Sequence, residues 1–154
     1  MGLDMYLSAK KYMSKYFDPA DSDKIASINE VFGVEGDEDG DYGAQEVTFR
    51  VAYWRKANAI HKWFVDRVQN GQDDCNEYHV TREQLTHLRD LCRETLTHRG
   101  KADELLPTAS GFFFGSTHYD EWYWQDIEHT ATRIDKILND PAFVKSDFYY
   151  QSSW

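Results

Sequence analysis

An α+β fold, a small antiparallel sheet packed against about three main helices in a single domain spanning residues 1–154, follows from three features of the sequence. Alternating apolar residues occur near the N terminus, in the middle and at the C terminus, at the period of half-buried strands. Longer stretches with apolar residues three and four positions apart lie between them. Capping residues and glycine or proline stops bracket those stretches. At 154 residues the chain is long enough to bury one sizeable core.

Leu3, Met5 and Leu7 alternate with Asp4, Tyr6 and Ser8, which predicts the first strand. After a loop through Asp18 and Pro19, a short helix is expected near Ser22–Phe32, stopped at Gly33. Glu35 to Asp41 holds five acids and two glycines. It reads as a solvated turn rather than a calcium loop, because the ligand series and flanking helices of an EF-hand are missing. Val47, Phe49 and Val51 alternate again, so Gln45–Tyr53 is expected to be a second strand, antiparallel to the first. From Trp54 the period changes: Trp54, Ala57, His61, Phe64, Val65 and Val68 repeat at helical spacing up to a stop at Gly71. Thr81 and Gln84 form a capping box, followed by the stripe Leu85, Leu88, Cys92 and Leu96 and a stop before Gly100. A third long helix, with Thr117 and Asp120 as capping residues, carries Trp124, Ile127, Ala131, Ile134 and Leu138 and ends at Asp140-Pro141. Asp147–Trp154 alternates once more and is expected to be a final strand joining the first two.

Composition excludes several classes of function. A net charge of -10 and a pI near 4.9 argue against a binder of nucleic-acid polymers, which needs a basic footprint to neutralise phosphates. No apolar run approaches membrane length, and the N-terminal dozen residues are too mixed for a signal peptide, so no membrane partner is expected. Cys75 and Cys92 suit neither a disulfide framework nor a close metal motif, and reduced thiols of a cytoplasmic protein are the expectation. His118 with Glu121, and Asp126 with His129, stand three apart and offer half of a metal site each, but no matching pair follows on another helix. No nucleophile elbow, kinase motif or dinucleotide fingerprint is present, so no catalytic residue, metal or cofactor is assigned. His61 falls on an apolar stripe, where a satisfied core histidine is the commoner outcome.

Two stretches point to binding. The segment Pro107–Trp124 sets Phe, Tyr and Trp rings around Gly111 and Gly115 together with Ser110, Ser116 and Thr117. Aromatic rings in such number line a pocket or interface more readily than they serve a passive connection. Amide and hydroxyl donors just ahead of a helix also suit an anion, although tight-turn packing and plain capping would explain the same residues. The second stretch inverts the charge of the chain: Arg50, Arg55, Lys56 and Lys62 lie between Val47 and Val65 without an acid. On a helix starting at Trp54, Arg55, Asn58 and Lys62 would share one face, either to meet an anionic ligand or to lie solvated.

The opening MGLDMYL, the central YWRKANAIHKWF, the segment DDCNEYHV and SGFFFGSTHYDEWYW resemble a family of small phage and prophage proteins over most of the chain. A phosphoglycerate-kinase label attached to some members has no support here, since the chain is far too short and lacks that enzyme's motifs. The resemblance implies an accessory protein that acts on host defence by binding rather than by catalysis, in the cytoplasm of a host bacterium. Combined with the residues, it predicts sequestration of a small nucleotide-like signal. Trp54, Phe114, Tyr119 and Tyr123 would stack on a base, Arg55 and Lys62 would pair with phosphates, Asn58 would read a base or ribose edge, and Ser110, Gly111, Ser116 and Thr117 would complete the donor set. Two other readings stand beside it. One is an acidic inhibitor that mimics nucleic acid on a host enzyme; the other is a metal-dependent nucleotide hydrolase built on His118, Glu121, Asp126 and His129. A homo-oligomer is compatible with each.

Overall fold

The computed structural model describes residues 2–37, 39 and 42–154. The elements run β1 (Asp4–Tyr12), α1 (Asp21–Phe32), β2 (Glu46–Arg55), α2 (Asn58–Arg67), β3 (Tyr78–Val80), α3 (Arg82–Thr97), α4 (Ala102–Leu105), α5 (Glu121–Asn139) and β4 (Asp147–Ser153). The strands form a four-stranded antiparallel sheet in the order β2-β1-β4-β3, an α+β fold. Among the described residues five α-helices stand where about three main ones were expected: α2, at 10 residues, is shorter than the 12-residue α1, and the four-residue α4 was not foreseen. Strand β3 was not foreseen either. At three residues it is too short to show a period, and it is held by its pairing with β4, Tyr78 opposite Tyr150 and Val80 opposite Phe148. The residues group into two compact units, Met1–Ala9 with Arg50–Trp154, and Lys10–Phe49.

The hydrophobic core belongs to the first unit. Alternation in β1 turns Met5, Leu7 and Ala9 inward with no exposure, and in β4 it buries Phe148 and Tyr150. They meet Ile60 and Phe64 of α2, Leu85, Leu88 and Cys92 of α3, and Ile127 and Ile134 of α5 in one apolar cluster. Phe64 lies flat on Tyr150, with ring centroids 3.9 Å apart and planes 6° from parallel. The expected Thr81–Gln84 capping box is formed and starts α3, which packs along α5. Arg82 reaches the far end of α5, donating to the carbonyls of Leu138 and Phe143 at 2.8 and 3.2 Å. Burial pushes the Cys92 thiol up, so it is a core group rather than a ready nucleophile.

His61 is the buried histidine anticipated from its stripe. Its Nδ1 lies 2.7 Å from the Tyr150 hydroxyl and its Nε2 3.0 Å from Asp73, so both ring nitrogens are satisfied at 1% exposure. The helical stripe differs at its start. Trp54 is not on a helix: it is in β2, 2% exposed, with its indole N–H donating to Thr130 of α5 at 2.9 Å. A bulky residue at the end of a strand and one at the start of a helix have the same spacing to Ala57 and His61, so periodicity cannot separate them.

In the second unit, α1 ends at Gly33 in the left-handed conformation, φ 64°, as expected for a glycine stop. Its buried residues are polar. Asp21 accepts from the Ser14 amide at 3.1 Å and Asn29 from the Ala44 amide at 2.8 Å. Of the acidic turn Glu35–Asp41, Glu38, Gly40 and Asp41 lie outside the described residues.

Tyr150→Phe keeps the stacked ring but leaves the buried Nδ1 of His61 without its partner. A loss of about 1–3 kcal/mol in unfolding free energy is expected, read from the midpoint shift in urea denaturation; an unchanged midpoint would show that the His61 contact contributes nothing.

Candidate functional site

In the first unit a cleft of about 350 Å³ opens between the β2–α2 junction and the start of α5. Its polar rim is Arg55, Lys56, Thr108, Ser116, His118 and Asp126; Trp122 stands over it and Ala57, Ile60, Tyr123 and Ile127 form the apolar floor. A concave site with few convergent polar groups over an apolar base is the usual form of a small-molecule pocket.

The cationic side arises from a tight strand-to-helix passage. β2 ends at Arg55 and α2 begins at Asn58, leaving two residues for the reversal. Lys56 takes a left-handed backbone, φ 59°, while its amide donates to Leu3 at 2.8 Å and its carbonyl accepts from Asn58 at 2.9 Å. A non-glycine residue there carries local strain, a feature that concentrates at functional sites. Gly115 approaches the same residue: at φ 83° its added Cβ would stand 3.3 Å from the Lys56 Cβ.

Asn58 organises the opposite loop. Its Nδ2 donates to the carbonyls of Phe114 at 3.0 Å and Ser116 at 2.8 Å, and its Oδ1 accepts from the Ala109 amide at 3.0 Å. The side chain is 5% exposed. It closes the aromatic loop as a buried amide strut.

The acidic side comes from α5. Asp120 caps the helix by accepting from the Tyr123 amide at 3.2 Å. Trp122 and Asp126, four residues apart, rise from one face of it. Burial, helped by the nearby charge of Asp120, pushes the Asp126 carboxyl up to about 6. His118 joins this wall, its amide bonded to the Ser116 hydroxyl at 3.1 Å. His129, below on α5, is shifted down by burial and by Arg133.

The residues singled out from sequence divide into those that line the cleft and those the fold uses otherwise. Arg55, Asn58, Ser116 and Tyr123 line it. Within that set, Asn58 has its amide committed to the loop, and Tyr123 is 6% exposed with its hydroxyl donating to Leu106 at 2.9 Å. The stacking role for Trp54 is corrected by its burial against Thr130. Phe114 packs its edge on His61, centroids 5.0 Å apart, as part of the core margin. Lys62 pairs with Asp66 at 2.8 Å and does not line the cleft. The expected shared face of Arg55, Asn58 and Lys62 fails because Arg55 is the last residue of a strand. Ser110, Thr117 and Tyr119 lie outside the lining; the Thr117 carbonyl accepts from Thr108, and Tyr119 sets its ring edge-on to Tyr123. Thr117 makes no cap, since Asp120 holds that position. Gly111 is needed for packing, because an added Cβ would meet the Phe114 ring at 2.5 Å.

Lys56, Trp122, His118 and Asp126 were not assigned as ligand-binding residues from sequence, His118 and Asp126 being weighed there only for a metal. The spacing of Trp122 and Asp126 on one helix was a usable signal; the position of Lys56 was not, because it depends on the turn. His118, Glu121, Asp126 and His129 do not form a metal set, and among the described residues no three His, Cys, Asp or Glu side chains converge as one. Among the described residues no helix is long and apolar enough to cross a membrane. Comparison with protein-family models, curated proteins and solved structures finds no significant match.

Asn58→Ala removes three hydrogen bonds from a buried site and should lower stability by about 2–4 kcal/mol. Hydrogen exchange at the Ala109 amide should accelerate along with it, and unaltered exchange there would sink the strut assignment. A second expectation follows from Asp126. Its folded-state carboxyl holds a proton more tightly than the ordinary value of 3.8 in an unfolded chain. Its contribution to stability therefore falls as pH rises from about 4 to about 6 and is level above that. Asp126→Asn removes this dependence, so its melting temperature should gain on the parent across that window and keep the gain at pH 8. Parallel pH profiles of the two proteins would refute the assignment.

Proposed function

We propose that this protein binds a small nucleotide-like ligand in the cleft between the β2–α2 junction and α5, and that it acts by holding the ligand rather than by converting it. The observation that carries the reading is the juxtaposition of Arg55 and Lys56 with the 74% exposed Trp122 across one apolar-floored cleft. Arginine and lysine suit phosphate, the former through a planar fork of donors. An exposed indole offers a face on which any base can stack. Asp126 and His118 supply acceptor and donor capacity for base or ribose groups on the opposite wall. These residues replace Trp54, Phe114, Tyr119 and Lys62 in the ligand role, with Arg55 and Ser116 retained from it. With the resemblance to phage accessory proteins, the reading extends to sequestration of a signalling nucleotide of host immunity.

Mass spectrometry of small molecules released by denaturing the purified protein, followed by calorimetric titration with the nucleotides found, tests this directly. Arg55→Ala should remove a charge-assisted contact of about 1.5–3 kcal/mol, weakening binding roughly 10- to 150-fold, and affinity should fall with added salt. Trp122→Ala should weaken binding by a comparable factor, whereas Lys62→Ala should leave it unchanged. A well-folded Arg55→Ala protein that binds as tightly as the parent would end the proposal.

A further inference from the structure

The Lys10–Phe49 unit differs in surface chemistry from the rest of the chain. Among the described residues, eight of the fourteen exposed large apolar side chains fall within it, Phe17 at 86%, Val31 at 78% and Phe32 at 77% exposure being the most open. Its helix α1 buries Asp21 and Asn29 but no apolar residue. A surface helix ordinarily buries its apolar stripe. Here α1 is secured by polar contacts from Asp21 to Ser14 and from Asn29 to Ala44, while Val31 and Phe32 at its end stay open.

Beside α1 lies a hollow of about 830 Å³, lined by Met13, Tyr16, Phe17, Ile25, Val34 and Tyr42 among others. The Tyr16 hydroxyl donates to the Asp39 carbonyl. Exposed apolar side chains gathered around a groove mark an interaction surface. The charge of the unit says what fits it. Four lysines stand against ten acidic residues, so this quarter of the chain carries -6 of the total -10. A second copy of the unit would bring the same net charge and be repelled, and anionic lipid would be repelled likewise. A segment with cationic and apolar faces satisfies both properties at once.

We infer that the Lys10–Phe49 unit is a protein-docking surface for a basic amphipathic helix of a partner protein, independent of the ligand cleft. Apolar residues of the partner would enter the hollow beside α1, packing on Tyr16 and Phe17, and would extend to Phe32 in the adjoining hollow that shares Val34 and Tyr42 with it. Its lysines and arginines would face Glu30 and Asp37 of the lining, within a unit that carries a net -6. Side-chain packing supplies affinity, and the charge selects the class of partner.

The test uses the full chain and a fluorescently labelled synthetic helix with leucines at i, i+3, i+4 and i+7 and lysines elsewhere. Two control peptides accompany it, one of the same composition in scrambled order and one with glutamate for lysine. Anisotropy titration should show binding of the basic amphipathic helix, at least about tenfold weaker binding of the scrambled peptide, and none of the acidic one. The double variant Phe17→Ser/Phe32→Ser, altered only at open positions, should weaken binding about tenfold or more without changing the melting temperature. Amide shifts on titration should concentrate in residues 10–49, and Arg55→Ala should bind the helix as the parent does. Equal binding of the scrambled peptide, a silent double variant or shifts centred on the cleft would overturn the inference. So would sedimentation showing a dimer that the double variant abolishes, which would assign the face to a second copy, or preferential binding to zwitterionic vesicles.

Discussion

One buried amide decides whether the candidate site exists. Asn58 stands at the first turn of α2, where it lines the cleft and holds three backbone groups of the loop after α4. A loop containing Gly111 and Gly115 has many conformations open to it. Three hydrogen bonds from one side chain on a helix reduce them to one. With the loop held there, Phe114 seats its edge on His61 and Gly115 comes against Lys56. His61 in turn is fixed by Tyr150 and Asp73, so the residue on which Phe114 rests is tied to β4 and to the turn before β3. The cleft is thus built on rigid elements, with few of its polar groups left over for a ligand.

Those that remain are sorted by charge. Arg55 and Lys56 come from the strand-to-helix turn, and Asp126 comes from α5 across the cleft. Burial disfavours the Asp126 carboxylate, and the neighbouring Asp120 adds repulsion, so the group titrates near 6 where most aspartates are fully ionised. A carboxyl so poised can accept or donate a hydrogen bond depending on pH and on what approaches. The positive φ of Lys56 belongs to the same economy of form. Two residues suffice to turn the chain because one of them accepts a left-handed backbone, and that turn sets both cations at the rim.

The two units answer different physical demands. Met1–Ala9 with Arg50–Trp154 contains the apolar cluster, within which Trp54 is paired with Thr130 and His61 with Tyr150. Lys10–Phe49 is held by polar tethers to α1 and leaves its rings open in an acidic setting. A surface of this kind is costly in water unless something else covers it. High negative charge offsets that cost by keeping copies of the protein apart.

The sequence by itself determined the elements whose signal is local. The alternation of Leu3, Met5 and Leu7, the Thr81–Gln84 box, the Asp140-Pro141 stop and the final alternating segment each correspond to an element in place. They were legible because a strand period, a cap or a proline acts within a few residues. Arg55 at the rim and His61 in the core were legible too, one from local depletion of acids and one from its stripe. Tertiary structure alone decided the rest. Trp54 has the spacing of a helix residue but is claimed by β2 and by Thr130 from a distant helix. Asn58 and Lys62 carry the chemistry of ligand groups, yet Phe114, Ser116 and Asp66 take their polar atoms. Strand β3 exists because β4 pairs with it. Hydrogen-bond partners and burial are relations between parts of the chain far apart in sequence, and no local pattern encodes which polar group a neighbour will leave free.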